Sequence, residues 1–577
     1  MIRSAALAVV VLAIGTARGA HAGTTKPVPP PPPPPSAPLV DKLELDDLPG
    51  PTPEVVARAS PVELPAIPAL RLPAGEAGVH GPRELQVRGQ TLLGSQIQVK
   101  GYVTWIYDCA AALATANPTA SPGELRRAIE AHPALCEHPK LYLGDTRATP
   151  RNASIWVVDV PRSMPGLAIG DAVVITGTWA QRSSHAEHHS GGLLIYQSLE
   201  PARLAAESTA AAGDAAMPSI EIAIDGAAAA PAMRKPVDPD VRDHSVEQLN
   251  TCNRALADKR YDDALAACGA ALAIWDGNHL AWYATATVHM ARGAWPEARA
   301  AIERAVALRP DLAMYQLGSG MTLYETARQV ARDELARLQH KRPDAIALDA
   351  PAVVASLRGS ARLTAARDAL VRAVRANHGL WRAHYYLGRV YRELDDDRRA
   401  ASQFTQAVQT NPSYRFAYVA LVELYRRWGY LAQSLLVASI GVTQVASADT
   451  ADLWFEVGLA YDAQAFDDNA AEAKAAEAKA IVALGNAIAL RPSDTGAKLE
   501  RGRLYFRIGD TASARRDLED VVRATDPRLD DARQLAAQML AELAAPVDDG
   551  ACARSHPCNI RAAPSSRWGG ADPLERL

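Results

Sequence analysis

The second half of this chain repeats itself at a spacing of about 34 residues, and this self-similarity limits the folds that are open to it. The stretch HYYLGRVYRELDDDRRAASQFTQAVQTNP, residues 384–412, is the clearest copy. Its apolar residues follow helical spacing, with a small residue inside the first helix and a proline at the end. One such unit cannot bury its apolar face alone, so neighbouring copies must stack. The pattern therefore predicts an all-α solenoid.

The spacing of small and large residues in this copy resembles the tetratricopeptide repeat, a family of stacked helix-turn-helix units. The residues that carry the resemblance are Leu387, Gly388, Tyr391, Ala400, Phe404, Ala407 and Pro412. Equivalent positions in later copies are held by Gly458, Tyr461, Gly502 and Tyr505. The resemblance implies a superhelix of about seven repeats over residues 244–545. We expect the helix from Leu529 to Leu543 to cap its last apolar face.

Each of these positions has an expected packing role. Gly388 and Ala400 should lie where the two helices of one repeat cross, because a larger side chain there would overpack the contact. Tyr391 and Phe404 should fill the gap to neighbouring repeats. Two copies depart from the pattern, one through an insertion from about His340 to Gly359 and one through the alanine-rich DDNAAEAKAAEAKA.

Residues 85–200 show a different pattern, with apolar residues at every second position. Five runs give this signal: SQIQVKGYVTWIY, KLYLGD, ASIWVVDV, DAVVITGTW and GLLIYQ. Five short strands predict a small all-β barrel, and Gly101 and Gly177 inside strands favour the coiling that closure requires. The strand count and GDAVVITGTW resemble an oligonucleotide/oligosaccharide-binding fold. A helical insertion around Gly123 to His132 separates the first two strands.

The remaining segments have the composition of leaders and linkers. Residues 1–22 resemble a signal peptide, with Arg3 before an apolar run and a small-x-small site ending at Ala22, although an uncleaved membrane anchor is the alternative. We expect residues 23–84 to be a disordered spacer containing the proline run Pro29–Pro35, residues 201–243 to be an Ala/Gly/Pro linker, and residues 546–577 to be a disordered tail. The chain is thus expected to be periplasmic or secreted.

Export changes the interpretation of the cysteines, because an oxidising compartment permits disulfides. The six cysteines fall into sequence-local pairs: Cys109 with Cys136, Cys252 with Cys268, and Cys552 with Cys558. A bridge from Cys109 to Cys136 would staple the helical insertion of the barrel. Cys252 and Cys268 could equally be buried thiols between helices.

A histidine cluster, His185, His188 and His189, lies in the stretch SSHAEHHSGG. Imidazoles at this density can hold zinc or copper, but flanking Ser and Gly indicate a mobile hairpin loop in which exposed histidines need no ligand. A metal site at this loop is therefore a minor alternative. No cofactor is expected.

The repeat resemblance implies that the first helices line a concave groove. Its predicted residues are Arg382, Tyr385, Arg389, Arg392, Phe416, Glu423, Arg426, Arg427, Phe455, Arg503, Phe506 and Arg507. Guanidinium groups and aromatic rings suit an extended peptide with acidic and apolar side chains. The alternative is a solvated arginine stripe without a ligand.

These features favour a non-catalytic scaffold of the cell envelope that binds a protein or peptide partner. The chain has none of the short nucleophile, phosphate-binding or zinc-protease motifs that would indicate an enzyme. A formal net charge of -4 over 577 residues gives no field that would attract nucleic acid or anionic membranes. The alternative function is a ligand or metal sensor centred on the barrel.

Overall fold

The computed structural model describes residues 62–68, 78–117, 119–131, 136, 138–149, 151–161, 164, 166–183, 188–202, 237–465 and 470–544. The predicted signal peptide, the proline run, the tail and most of the linker lie outside these residues, as do Cys552, Cys558 and His185. The side chains of His188 and His189 are also outside the description.

The N-terminal domain is built on strands, as the alternating pattern predicts. Its strands are β1 (Val79–His80), β2 (Gln96–Ile106), β3 (Lys140–Gly144), β4 (Ile155–Val158), β5 (Ala172–Arg182) and β6 (His188–Pro201). Its helices are α1 (Pro82–Arg88), α2 (Cys109–Ala116) and α3 (Pro122–Ala131), with 3₁₀ turns at Gly89–Leu92 and Arg151–Ala153. The five predicted strands correspond to β2–β6.

Strands β2–β6 close into a five-stranded barrel, so the predicted architecture is confirmed. β3 lies antiparallel between β2 and β4, β6 lies parallel to β4 and antiparallel to β5, and β5 returns antiparallel to β2. β1 adds a short parallel pairing to β2. The inward-facing residues include Val99, Leu141, Leu143, Val157, Ile175 and Leu194, which form one buried cluster.

One glycine shows why the barrel can close. A Cβ atom on Gly177 would lie 2.3 Å from the carbonyl oxygen of Ile195 on β6. The β5–β6 register shifts between Thr176 and Gly177, so the backbones approach closely at a bend. Between β2 and β3, the insertion carrying α2 and α3 is held by a disulfide from Cys109 to Cys136.

From Pro239 to Ala544, the described chain consists of helices. They are α4 (Pro239–Ala257), α5 (Tyr261–Ile274), α6 (His279–Ala291), α7 (Trp295–Leu308), α8 (Ala313–Leu338), α9 (Pro351–Leu357), α10 (Ala361–Ala376), α11 (Trp381–Glu393), α12 (Asp397–Thr410), α13 (Arg415–Arg427), α14 (Leu431–Gln444), α15 (Ala451–Gln464), α16 (Ala470–Leu490), α17 (Thr495–Ile508), α18 (Thr511–Val522) and α19 (Asp530–Ala544). Short 3₁₀ turns occur at Pro343–Ala345, Ser447–Asp449 and Pro527–Leu529.

Within the described residues, these helices pack as seven antiparallel pairs followed by a cap. The pairs are α4–α5, α6–α7, α8–α10, α11–α12, α13–α14, α15–α16 and α17–α18. The second helix of each pair contacts the first helix of the next pair, which is the arrangement of a repeat solenoid. α19 packs on α18 with Leu535 and Met539 buried. The predicted superhelix of about seven repeats is confirmed.

Contacts within one repeat depend on a glycine of the first helix lying under a large side chain of the second. A Cβ on Gly388 would come within 2.6 Å of the Phe404 ring, and one on Gly458 within 2.6 Å of Leu484. Phe404 therefore fills the space inside its own repeat at Gly388. This differs from the expectation that it bridges neighbouring repeats, because the missing side chain of Gly388 leaves the room that the ring occupies.

The two irregular repeats keep their helix pairs. In the third repeat, residues 339–360, which include α9, are inserted between α8 and α10. The turn Pro343–Ala345 of this insertion contacts the distant turn Pro527–Leu529. In the sixth repeat, the alanine-rich stretch lies largely in α16, which runs for 21 residues. In the first repeat, a disulfide from Cys252 to Cys268 joins α4 to α5.

The barrel contacts the array through α1, which the sequence patterns did not predict. Leu85 of α1 is buried in the barrel core, whereas Val87 belongs to the main cluster of the array. Arg83 Nη2 donates to the Trp428 carbonyl at 2.6 Å, and Arg427 Nη2 donates back to the Val87 carbonyl. Arg88 Nη2 donates to the Asp395 carbonyl at 3.1 Å. We call this contact the junction.

The described elements therefore extend into segments that were assigned to linkers. β1 and the first part of α1 precede residue 85, and α4 begins before residue 244. Residues 62–68, in the range assigned to the spacer, pack against the cluster that contains Val87. Among the described residues, none of the helices has the length and apolar character needed to cross a membrane.

Candidate functional site

The predicted groove residues lie on the first helices of the last four repeats. α11 carries Arg382, Tyr385, Arg389 and Arg392; α13 carries Phe416, Glu423, Arg426 and Arg427; α15 carries Phe455; and α17 carries Arg503, Phe506 and Arg507. These helices follow one another along the solenoid, so the residues form a series along the array.

Most of the predicted arginines are paired with carboxylates of the array itself. Between each two successive repeats from the third to the seventh, an arginine of one first helix faces an acid of the other. The ion pairs are Arg389–Glu325 at 3.5 Å, Arg392–Glu423 at 3.0 Å, Arg426–Glu456 at 3.4 Å and Arg507–Asp462 at 2.5 Å. We call this series the ion-pair ladder.

Burial of the ladder side chains determines whether they are accessible to a ligand. The side chains of Arg426 and Glu456 are 1% and 2% exposed, so each neutralises a charge that would otherwise be isolated from water. Arg503 is also buried, and its Nη1 donates to Glu500 Oε2 at 2.9 Å. These guanidinium groups link repeats or helix turns. That they chelate acidic side chains of a ligand remains a prediction, and their geometry gives it no support.

Glu500 titrates under the influence of charges from three helices. Burial raises its pKa from 4.5 to about 7, the Asp462 carboxylate adds to the rise, and Arg503 and Arg426 oppose it. Its Oε1 atom is buried without a hydrogen-bond partner among the described residues. A carboxyl group that gains its proton near neutral pH therefore lies beside the ladder residues Asp462 and Arg426.

Arg427 and Arg382 are placed differently from the ladder. Arg427 belongs to the junction through its donation to Val87. Arg382 is exposed, with its guanidinium carbon 5.0 Å from the ring centroid of Trp381. A guanidinium group over an indole face is a cation–π contact.

Four aromatic residues come together where α11 and α13 begin. The ring centroid of Tyr414 lies 4.3 Å from that of Trp381, 5.0 Å from that of Tyr385 and 5.6 Å from that of Phe416. Phe416 is 39% exposed, although the apolar side chains around it are largely buried. We call these four residues the aromatic patch.

Arginines border the aromatic patch. The guanidinium carbon of Arg415 is 4.4 Å from the ring centroid of Phe416, and its Nη1 pairs with Asp449 at 2.9 Å. Arg389 approaches the inner side of the patch, with its guanidinium carbon 5.9 Å from the Tyr385 ring centroid. Rigid aromatic surface with a charged border is typical of binding sites that take an apolar anchor.

The structure does not bring all predicted aromatic residues to this patch. Phe455 packs with the cluster that contains Leu484, and Phe506 packs with the cluster that contains Leu518. The patch instead includes Trp381 and Tyr414, which are not among the predicted groove residues. Trp381 is the first residue of α11 and Tyr414 immediately precedes α13, so a search of the turns between repeats would have found them.

The histidine cluster gives no site that can be described. β5 and β6 are consecutive antiparallel strands, so the cluster does fall at a hairpin, with His188 opposite Arg182. Among the described residues, no group of three or more His, Cys, Asp or Glu side chains is placed to hold a metal ion.

Two segments of the array match family models described as tetratricopeptide repeat, residues 255–318 and residues 382–414. The first covers α5 to α7 and the start of α8, and the second covers α11 and α12. A comparison with curated proteins gave no significant match.

Solved structures of repeat proteins resemble parts of the chain. "Functional Characterization of Pseudomonas Aeruginosa pilF" describes one that is 14% identical, with a TM-score of 0.33, over 45% of this chain and 96% of that chain. A tetratricopeptide repeat protein from Parabacteroides merdae is 12% identical, with a TM-score of 0.36, over 51% and 99%. A thermophilic repeat protein of Thermus thermophilus is 23% identical, with a TM-score of 0.27, over 36% and 94%.

Proposed function

Because residues 239–544 form a tetratricopeptide repeat array, we propose that this chain is a non-catalytic scaffold that binds a protein partner through an extended segment of that partner. Repeat arrays present long continuous surfaces on rigidly stacked helices, which suits recognition of an extended chain. The packing residues of each repeat are used to hold the stack, so the ligand surface must be sought among the remaining positions.

The aromatic patch is the observation that supports this proposal best. Phe416 leaves more than a third of its surface in water beside three other rings. Aromatic side chains supply a large contact area at a small cost in conformational entropy, and they dominate the energetics of many interfaces. Arg382 and Arg415 at the border add polar contacts around an apolar centre. The partner is therefore expected to present an apolar or aromatic anchor.

The ion-pair ladder shifts the expected ligand away from a strongly acidic peptide. Arg392 and Arg507, which the sequence suggested as carboxylate binders, already face Glu423 and Asp462. Exchanging an internal carboxylate for one from a ligand gains little, because both states contain the same kind of ion pair. The specificity proposed here therefore rests on apolar contact at the patch.

We also propose that the chain works outside the cytoplasm. The apolar N-terminal run with its small-x-small site motivates this placement, and the two disulfides of the structure suit an oxidising compartment. Mass spectrometry of the mature protein should find a new N-terminus near residue 23. An intact Met1 would contradict cleavage.

The aromatic patch can be tested with the full exported chain. We expect the double variant Tyr385→Ala/Phe416→Ala to reduce recovery of a cross-linked partner at least tenfold. Truncation of an aromatic residue at the centre of an interface often costs about 2 kcal/mol of binding free energy. Chemical cross-linking in envelope preparations followed by mass spectrometry would measure this recovery.

A matched control is Leu436→Ala on α14, a large apolar residue that is 49% exposed on a second helix. This variant should retain the partner at the native level. Equal recovery by the native chain and the patch variant would reject the patch as the binding surface.

A further inference from the structure

A short segment before the barrel, residues 62–68 with the sequence VELPAIP, packs against the main apolar cluster of the array. Val62 is 8% exposed and belongs to the cluster that contains Val87 and the buried residues of α8–α15. Leu64 and Ile67 pack against the same cluster. Glu63 and Ala66 point to solvent, as their exposure shows. We call this segment the strap.

The chemistry of the strap is that of an extended peptide ligand. Pro65 and Pro68 lack a backbone N–H and fix their own φ angles, so they cannot continue a helix or donate to a sheet ladder. The strap has neither helix nor strand structure. Its apolar side chains at positions 62, 64 and 67 are therefore its main means of attachment.

The apolar cluster on which the strap packs includes residues of both domains. Val87 comes from α1, and α1 is fixed at the ends of α11 and α13 by Arg88 and by the reciprocal bonds of Arg83 and Arg427. The strap therefore packs on an apolar cluster to which α1 contributes. The aromatic patch lies where α11 and α13 begin, whereas α1 is held at the opposite ends of these helices.

We propose that the strap is a built-in ligand, and that the surface beneath it also accepts extended, proline-containing apolar peptides from a protein partner. This inference goes beyond the function proposed above, because it assigns a second ligand surface and the chemical class of its ligand. It does not depend on the aromatic patch. A partner segment must resemble the strap, with apolar side chains at i, i+2 and i+5 and prolines at i+3 and i+6.

Because the strap belongs to the same chain, it has an advantage over free peptides in binding this surface. Residues 69–78 join the strap to β1, so the strap is an intramolecular ligand with an effective concentration on the order of 1 mM. A free peptide competes poorly with a ligand at that concentration. Removing the apolar contacts of the strap should therefore expose the surface to peptides added from outside.

The test uses the full mature chain and a fluorescent, capped peptide with the sequence of residues 62–68. The variant Leu64→Asp/Ile67→Asp should bind this peptide at least ~10-fold more tightly than the native chain in fluorescence anisotropy. Ala66→Asp is the matched control, because it adds charge to the strap at an exposed position. It should bind the peptide as weakly as the native chain does.

Two further comparisons distinguish release of the strap from misfolding of the substituted chain. A chain lacking residues 23–68 should bind the peptide as tightly as the doubly substituted variant, and a peptide that itself carries Leu64→Asp/Ile67→Asp should not bind either chain. Failure of both released chains to bind the native peptide would overturn the proposal, as would equal binding by the native chain.

The proposals for the strap surface and for the aromatic patch can be rejected independently. Tyr385→Ala/Phe416→Ala, introduced into the released chain, should leave the affinity for the strap peptide unchanged. Loss of peptide binding in that variant would assign the peptide to the aromatic patch and reject a separate surface beneath the strap. If Tyr385→Ala/Phe416→Ala changes neither peptide binding nor recovery of the cross-linked partner, only the proposal for the aromatic patch is rejected.

Discussion

At the scale of single residues, small side chains determine how closely the helices of a repeat can approach. Gly320, Gly388 and Gly458 each lie under a large side chain of the second helix in the same repeat. Leucine or phenylalanine fills the space that the missing Cβ leaves, so each pair is a local fit between a hole and a side chain. The fit recurs from repeat to repeat.

Gly388→Ala tests this fit. A Cβ at this position would meet the Phe404 ring at 2.6 Å, so the variant should lower the free energy of unfolding by about 1–3 kcal/mol, as measured by urea denaturation. Gly269→Ala is the matched control, since Gly269 lies within α5 and no atom would be within 4 Å of its Cβ. It should raise the same free energy by about 0.5–1 kcal/mol. Equal effects at the two sites would contradict the proposed fit.

At the scale of helices, the ion-pair ladder joins neighbouring repeats through their first helices. Each pair links residues that are far apart in sequence, such as Asp462 on α15 and Arg507 on α17. Buried pairs of this kind contribute little net stability, but loss of one partner leaves an isolated charge and is costly. They therefore fix the register of one repeat on the next.

The raised pKa of Glu500 predicts how stability depends on pH. The folded chain holds a proton on this carboxyl group up to about pH 7, whereas the unfolded chain releases it near 4.5. Between these values the folded state binds more protons, so the free energy of unfolding falls as pH rises. Relative to Glu500→Gln, the native chain should lose on the order of 3 kcal/mol from pH 4.5 to pH 7.

Urea denaturation of both chains at several pH values measures this difference, and the subtraction removes titrations that they share. The groups that face Glu500 are Arg503 on the same helix, Asp462 on α15 and Arg426 on α13. Parallel curves for the native chain and Glu500→Gln would show that the carboxyl group titrates normally.

Sequence patterns identify the helices and strands well because their signals are local. The 34-residue spacing places the seven helix pairs, and alternation places β2–β6. The ladder was missed because Arg389 and Glu325 are paired across a repeat and its insertion, a distance that no local period encodes. The arginines suggest a basic stripe, and of their acidic partners in the ladder only Glu423 is among the predicted groove residues.

At the scale of the whole molecule, α1 connects the barrel to the array. Leu85 packs into one core and Val87 into the other, so seven residues serve two domains. This also explains why α1 was not predicted, since its apolar residues do not form the single stripe of an ordinary amphipathic helix. The barrel therefore helps to shape the surface of the array beside it.

The double variant Arg83→Ala/Arg427→Ala should loosen the junction, because each arginine donates a charged hydrogen bond to a carbonyl of the other domain. Such bonds contribute about 1.5–3 kcal/mol each, so backbone amides of α1 should exchange with deuterium at least ~10-fold faster. Arg147→Ala is the control, since Arg147 Nε donates at 3.0 Å to the Gly170 carbonyl within the barrel. Unaltered exchange in the double variant would show that other contacts hold α1.

The contact between the turns Pro343–Ala345 and Pro527–Leu529 has a mechanical consequence. In a repeat solenoid each repeat contacts only its neighbours, so small displacements at successive interfaces add up when the ends are pulled apart. Here an insertion in the third repeat touches the end of the seventh, so the intervening coil is bridged across its own turn. Under a pulling force, this contact should resist elongation of the third to seventh repeats until the two turns separate.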